Sequence, residues 1–212
     1  MRQIKTTMKP KVHKYQKINF KVMSKKIIFV LFLLLNTFAF AQKPCEIDTN
    51  VTDSLGTYKA TKQQMIFERS FAGNSNNIFF ALSNTNGVIS LETQQLASSF
   101  EFVKAYCLDT NSRIYLQLNN GKIVTLLYTG NDTCGTLVRN ERNQNTRIIS
   151  GSFVFSKDNY EDLKISPVTF MRVKFLGETL DFPFKTSFVS EMDKKTYEPE
   201  NYFVNYLKCI EN

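Results

Sequence analysis

Asn120-Gly121 constrains this chain more than any other pair of residues. It joins two β-rich runs, Arg113-Ile-Tyr-Leu-Gln-Leu118 and Ile123-Val-Thr-Leu-Leu-Tyr128. Asn and Gly tolerate positive φ best, so the dipeptide marks a two-residue hairpin turn. Such a turn sets a register in which facing residue numbers sum to 241. Leu118 then faces Ile123, Leu116 faces Thr125, Tyr115 faces Leu126 and Ile114 faces Leu127. The same sum places Cys107 opposite Cys134, which predicts a disulfide at the base of the hairpin.

The remaining cysteines, Cys45 and Cys209, are expected to pair with each other. Four cysteines allow three connectivities, and the hairpin register selects this one. An even cysteine count fits an oxidising compartment, and the N-terminus agrees. Lys25-Lys26 precede an apolar run from Ile27, which ends in Ala39-Phe40-Ala41. A charged start, a short apolar stretch and a small-x-small site form the layout of a secretory signal peptide over residues 23–41. The apolar segment is shorter than the ~20 residues a spanning helix needs, so no transmembrane anchor is expected after processing. Residues 1–22 are basic and unpatterned, and read as a start-site extension or a long n-region. The chain is therefore expected to be exported to the periplasm, the cell surface or the medium. Residues 42–212 are expected to form a single β-rich domain.

Charge supports this division. The first 41 residues hold nine of the 27 Lys/Arg and none of the 19 Asp/Glu. The remainder carries 18 basic and 19 acidic groups, a formal charge of −1. The whole-chain +8 belongs to the leader and is no nucleic-acid footprint, so no nucleic-acid partner is expected.

Along residues 42–212 the pattern is of short strands. Runs at 57–61, 65–69, 77–83 and 88–94 are separated by the turn clusters Gly73-Asn-Ser-Asn-Asn77 and Asn84-Thr-Asn-Gly87. Ile78–Leu82, Asn86-Gly87 and Val88–Leu91 repeat the design of the later hairpin, which suggests packed β units. Residues 98–104 read as a short helix or the start of a strand. Residues 136–146, polar and rich in Asn, Gln and Arg, read as a loop. Residues 147–155 alternate as a strand, with Gly151 where a neighbour approaches. Asp158-Asn-Tyr-Glu161 fits a capping box opening a short helix. Residues 168–176 form a strand with Met171, Val173 and Phe175 on one face. Pro183 marks an edge strand. Residues 199–210 predict one continuous helix, with Tyr202, Phe203, Tyr206, Leu207 and Ile210 as its apolar stripe. The fold expected is mainly β: an antiparallel β-sandwich or half-open barrel with a packed C-terminal helix.

Three segments carry a resemblance. The leader over 25–42, Asn120-Gly-Lys-Ile-Val-Thr-Leu-Leu127, and Ser156-Lys-Asp-Asn-Tyr-Glu-Asp-Leu163 with Ser166-Pro167 and Arg172 resemble segments of exported β-rich proteins of the Bacteroidetes. The likeness covers about half of residues 42–212. It implies export and β architecture. That group has no assigned activity, so it implies no catalytic residue.

His13, the only histidine, lies in the leader. Ser-His-Asp, Cys-His and His-metal sites therefore have no histidine in the processed chain. No Cys-x-x-Cys spacing suggests zinc, and no metal or cofactor is expected. Asp158, Glu161 and Asp162 form one acidic group, and Glu191, Asp193, Glu198 and Glu200 another. Either could serve a histidine-free, carboxylate-dependent, glycan-directed hydrolase, but each flanks a predicted helix start, where negative charge is favoured without any catalytic role. The leading expectation is a non-enzymatic binding or interaction module. The other alternative is a structural component of an envelope assembly. Arg139, Arg142 and Arg147 are the candidate binding residues. Arginine forks bind carboxylates in pairs, so the expected partner is a protein or a polar or acidic ligand in the envelope.

Overall fold

The computed structural model describes residues 43–211. The expected signal peptide (23–41) and the extension before it (1–22) lie outside the described residues.

The period-2 patterns become thirteen strands: β1 (Ile47–Asp53), β2 (Gly56–Thr61), β3 (Gln64–Phe71), β4 (Asn74–Thr85), β5 (Val88–Ser99), β6 (Arg113–Leu118), β7 (Ile123–Tyr128), β8 (Thr136–Arg139), β9 (Asn145–Phe155), β10 (Val168–Lys174), β11 (Thr179–Pro183), β12 (Phe188–Val189) and β13 (Thr196–Tyr197). Eleven form one antiparallel sheet in the order β1-β2-β4-β5-β9-β7-β6-β10-β11. β3 also pairs with β4, and β8 with β9. β12 and β13 form a separate pair.

The large sheet curls on itself because its inner faces are apolar in both halves. Ile78, Phe80, Leu82 and Leu91 come from β4 and β5. Ile114, Leu116, Val124, Leu126, Met171 and Val173 come from β6, β7 and β10, and all join the same core. The result is sandwich-like and mainly β. No strand pairing joins β1 to β11, so the sheet does not close. Phe67 of β3 and Phe182 of β11 meet across the gap as an edge-to-face pair, 5.2 Å between centroids. Pro183 lies on the edge strand, where its missing N–H costs no ladder bond. Gly151 is required by packing: a Cβ there would sit 2.7 Å from Leu108 Cδ1 and 2.9 Å from the Phe153 ring.

The central hairpin departs from the expected register. Ile114 faces Leu126, Tyr115 faces Thr125 and Leu116 faces Val124, one residue off the predicted pairing. The loop has three residues, not two. Gly121 N donates to Leu118 O at 2.9 Å, and Leu118 N donates to Lys122 O at 2.9 Å. Gly121 has φ 82°, whereas Asn120 is not left-handed. This is a type I turn closed by a glycine bulge. Burial decides the register, since a one-residue slip would turn one strand's apolar set outward. In the observed pairing Val124 and Leu126 are fully buried while Ile123 and Leu127 are exposed.

Cys107 and Cys134 nevertheless pair, as expected. Leu108 and Thr133 form a bridge beside them in the 241 register. The residue lost at the turn is regained in the polar segments between bridge and strands. Cys45 and Cys209 form the second disulfide. Two disulfides in a β-rich fold belong to an oxidising environment.

Several local expectations are corrected. The turn cluster at 73–77 is mostly strand: the turn is Ala72-Gly73, with φ 50° and 80°. The loop expected at 136–146 is a hairpin of β8 with β9. The capping box does not form. Asn159, at φ 58°, precedes a 3₁₀ turn at Tyr160–Lys164 and makes no side-chain cap. The C-terminal helix is broken into a 3₁₀ turn (Pro199–Asn201), α1 (Tyr202–Tyr206) and a second 3₁₀ turn (Leu207–Cys209). Its sequence is rich in aromatic residues of modest helix propensity, and no side chain caps it. Packing holds it instead. Tyr202 meets Phe80 edge to face and Phe203 meets it tilted, with ring centroids 5.6 and 6.1 Å apart, and the predicted stripe is wholly buried.

Candidate interaction surface

Strand register brings two turns and the end of β5 to one end of the sheet. Phe71 faces Asn74 beside the β3–β4 turn. Ser75 faces Ser98 where β5 ends. Ser99 faces Asn145 where β9 begins, and Asn145 faces Arg139 where β8 ends. The Ser98 and Thr146 hydroxyls hydrogen-bond at 2.8 Å, and Asn145 Nδ2 donates to Glu101 O at 2.8 Å. These bonds fix the segment after β5 against the β8–β9 hairpin.

Phe71, Phe100 and Phe102 project from this end. They are 77%, 59% and 83% exposed, and no other phenylalanine among the described residues is exposed. The Phe100 ring lies over the Ala72-Gly73 turn, where a Cβ on Gly73 would touch it at 3.4 Å. Leu137 and Val138 on β8 are about half exposed. Exposed apolar groups gathered with polar neighbours mark contact surfaces more often than scattered ones do.

Arg139 ends β8 and Arg142 lies in the turn, both exposed. Neither makes an ion pair within the described residues, and the same holds for Arg69 on neighbouring β3. Glu101 and Glu141 share this end, so its balance is three cations to two anions. The turn is ordered by Asn140. Its Oδ1 accepts from Arg142 N and Gln144 N, each at 3.0 Å, and its backbone N donates to Gln144 O at 3.0 Å. Asn143 takes φ 61° to close it.

Arg147 stands apart. It lies opposite Leu137, set back from the tip, and its Nη1 donates to Cys134 O at 3.3 Å. It braces the carbonyl beside the disulfide. The three arginines of the sequence reading are therefore one tip pair and one brace.

The acidic groups are mostly engaged. Lys122 binds Asp162 at 2.9 Å, and Lys164 binds Glu161 at 2.9 Å. Tyr197 donates its hydroxyl to Asp193 at 2.6 Å, and Lys43 binds Glu198 at 2.9 Å. Hydrogen bonds to Asp193, that of Tyr197 foremost, hold its carboxyl below the usual carboxylate range against the cost of desolvation. Among the described residues no three His, Cys, Asp or Glu side chains come together as metal ligands. None of the described helices is long and apolar enough to cross a membrane.

The sequence pointed to Arg139 and Arg142 through their polar, arginine-rich segment. It did not point to Phe71, Phe100 or Phe102. A phenylalanine in a β-rich chain reads as core, and only strand pairing shows that these three lie past the strand ends. No family model, curated protein or solved structure matches the chain.

Proposed function

We propose that this protein is an exported, non-enzymatic interaction module that binds an acidic protein partner in the envelope through the sheet end carrying Arg139, Arg142, Phe100 and Phe102. One observation supports this most: the exposed phenylalanines converge with unpaired arginines at one end of a disulfide-tied sheet. Aromatic and arginine side chains dominate the energetics of protein contacts. Rigid strands that present short turns lose little entropy on binding. Export fits both the leader and the disulfides, and the envelope supplies the partner.

The test is recovery of the envelope partner by tagged protein, followed by measurement of its affinity. Arg139→Ala with Arg142→Ala should weaken binding about tenfold or more and flatten its salt dependence. Phe100→Ser with Phe102→Ser should abolish recovery. Both pairs are solvent-facing, so the thermal transition should stay within a few degrees of the parent's. Arg147 is kept intact because of its bond to Cys134 O. Equal recovery by both double variants would refute the assignment.

A further inference from the structure

A second surface lies on the outer face of the sheet's other half. On β7, β6, β10 and β11, Thr125 faces Tyr115, Tyr115 faces Arg172 and Arg172 faces Asp181. The next row runs Ile123, Gln117, Phe170 and Pro183. An antiparallel sheet that faces water ordinarily alternates polar residues outward. Here an outward hollow of about 300 Å³ is lined by Tyr115, Gln117, Ile123, Phe170 and Arg172.

The polar groups of this hollow are preset. Arg172 grips Asp181 with two bonds, Nε to Oδ1 at 2.7 Å and Nη2 to Oδ2 at 2.8 Å. Its guanidinium also sits 5.9 Å from the centre of the Phe170 ring. Each partner holds the other charged: the hydrogen bonds raise the Arg172 pKa and lower that of Asp181. The pair is therefore internally neutral. Neither the Tyr115 hydroxyl nor the Gln117 amide has a partner among the described residues.

We propose that this hollow binds a neutral saccharide, with a sugar ring laid on Tyr115 and Phe170 and its hydroxyls met by Gln117, Tyr115 Oη and the Arg172–Asp181 pair. A pyranose has an apolar C–H face and a hydroxyl edge, which complement an aromatic floor with a polar rim. The volume is at the low end for small-ligand sites, as suits one or two sugar units. Among the lining residues, charge favours neither an anionic nor a cationic ligand. An anionic ligand would find Arg172 already neutralised, and a cationic one would find Asp181 likewise. A peptide adding as a strand is disfavoured at this edge, because Pro183 removes a donor from β11.

Affinity electrophoresis through dissolved dextran, laminarin, galactomannan and arabinoxylan tests this directly. At least one should retard the intact protein, and about 0.5 M NaCl should leave the retardation unchanged, since no net charge is involved. Tyr115→Ala and Phe170→Ala should each weaken it about tenfold or more. Lys174→Ala, on the same face beyond the hollow, should leave it unchanged. If Phe170→Ala fails to fold, Gln117→Ala and Asp181→Asn decide, each with an expected loss of several-fold. Failure of all four polysaccharides to retard the protein overturns the proposal. So does retardation that survives in a folded Tyr115→Ala variant. Retardation lost with Arg139→Ala and Arg142→Ala instead would assign binding to the sheet end.

Discussion

Gly151 shows how much one residue can carry. It lies mid-strand on β9, where glycine ordinarily weakens a sheet. Leu108 and the rings of Phe153 and Tyr128 fill the space a side chain would take. Leu108 is the residue after Cys107, so this contact seats the disulfide-linked segment on the sheet. Gly151→Ala is expected to destabilise the fold by about 1–3 kcal/mol through overpacking, despite alanine's better conformational entropy. Urea denaturation with the disulfides intact would measure it. A stability equal to the parent's would mean that Leu108 moves aside freely.

At the scale of elements, one dipeptide makes two different turns. Asn86-Gly87 closes β4 and β5 as a two-residue loop, with Thr85 facing Val88 and both turn residues at positive φ, 53° and 86°. Asn120-Gly121 closes β6 and β7 as part of a three-residue loop, in which only the glycine is left-handed. The difference follows from surroundings. Asn86 Oδ1 accepts from Thr57 N at 2.7 Å, tying that turn to β2. Asn119 N donates to Pro167 O at 2.8 Å, and Asn120 Nδ2 donates to Asp162 at 3.1 Å, pulling the other turn toward the segment before β10. Asn86→Ala should therefore cost about 1–2 kcal/mol, from strain at positive φ and a lost backbone partner. Asn120→Ala, which keeps an ordinary φ, should cost less than about 1 kcal/mol. Equal losses in thermal unfolding would contradict the assignment of two turn types.

For the whole molecule, the two disulfides are unequal. Cys107–Cys134 closes a loop with sequence separation 27, and Cys45–Cys209 one of 164. On chain entropy alone these constrain the unfolded chain by about 3.5 and about 5 kcal/mol. The longer bridge also ties the N-terminal segment to the C-terminal helical turns, where Cys209 and Ile210 are buried. Replacing Cys45 and Cys209 by Ala should lower the thermal midpoint more than replacing Cys107 and Cys134. The reverse order would place the weight of the fold on the hairpin. Non-reducing peptide mapping checks the pairing itself.

The features readable from the order of residues are local and compositional. The β class, the buried stripe of the C-terminal segment, the edge position of Pro183 and the close approach at Gly151 were all legible, and both disulfide pairings came out right although the hairpin register that selected them was one residue off. Each depends on periodicity, cysteine count or the sterics of one residue. Register, turn type and surface came from long-range packing. Asn120-Gly121 is compatible with both two- and three-residue loops, and burial of Val124 and Leu126 on the inner face chose between them. Residues 136–146 as a whole look polar enough for a loop, but β9 offers 136–139 a free edge and unpaired backbone groups, so they pair. Phe100 and Phe102 are apolar like the core residues around them in sequence. They are exposed because β5 ends at Ser99, before the chain can turn them inward, and that end point is set by pairing with β9, nearly fifty residues away.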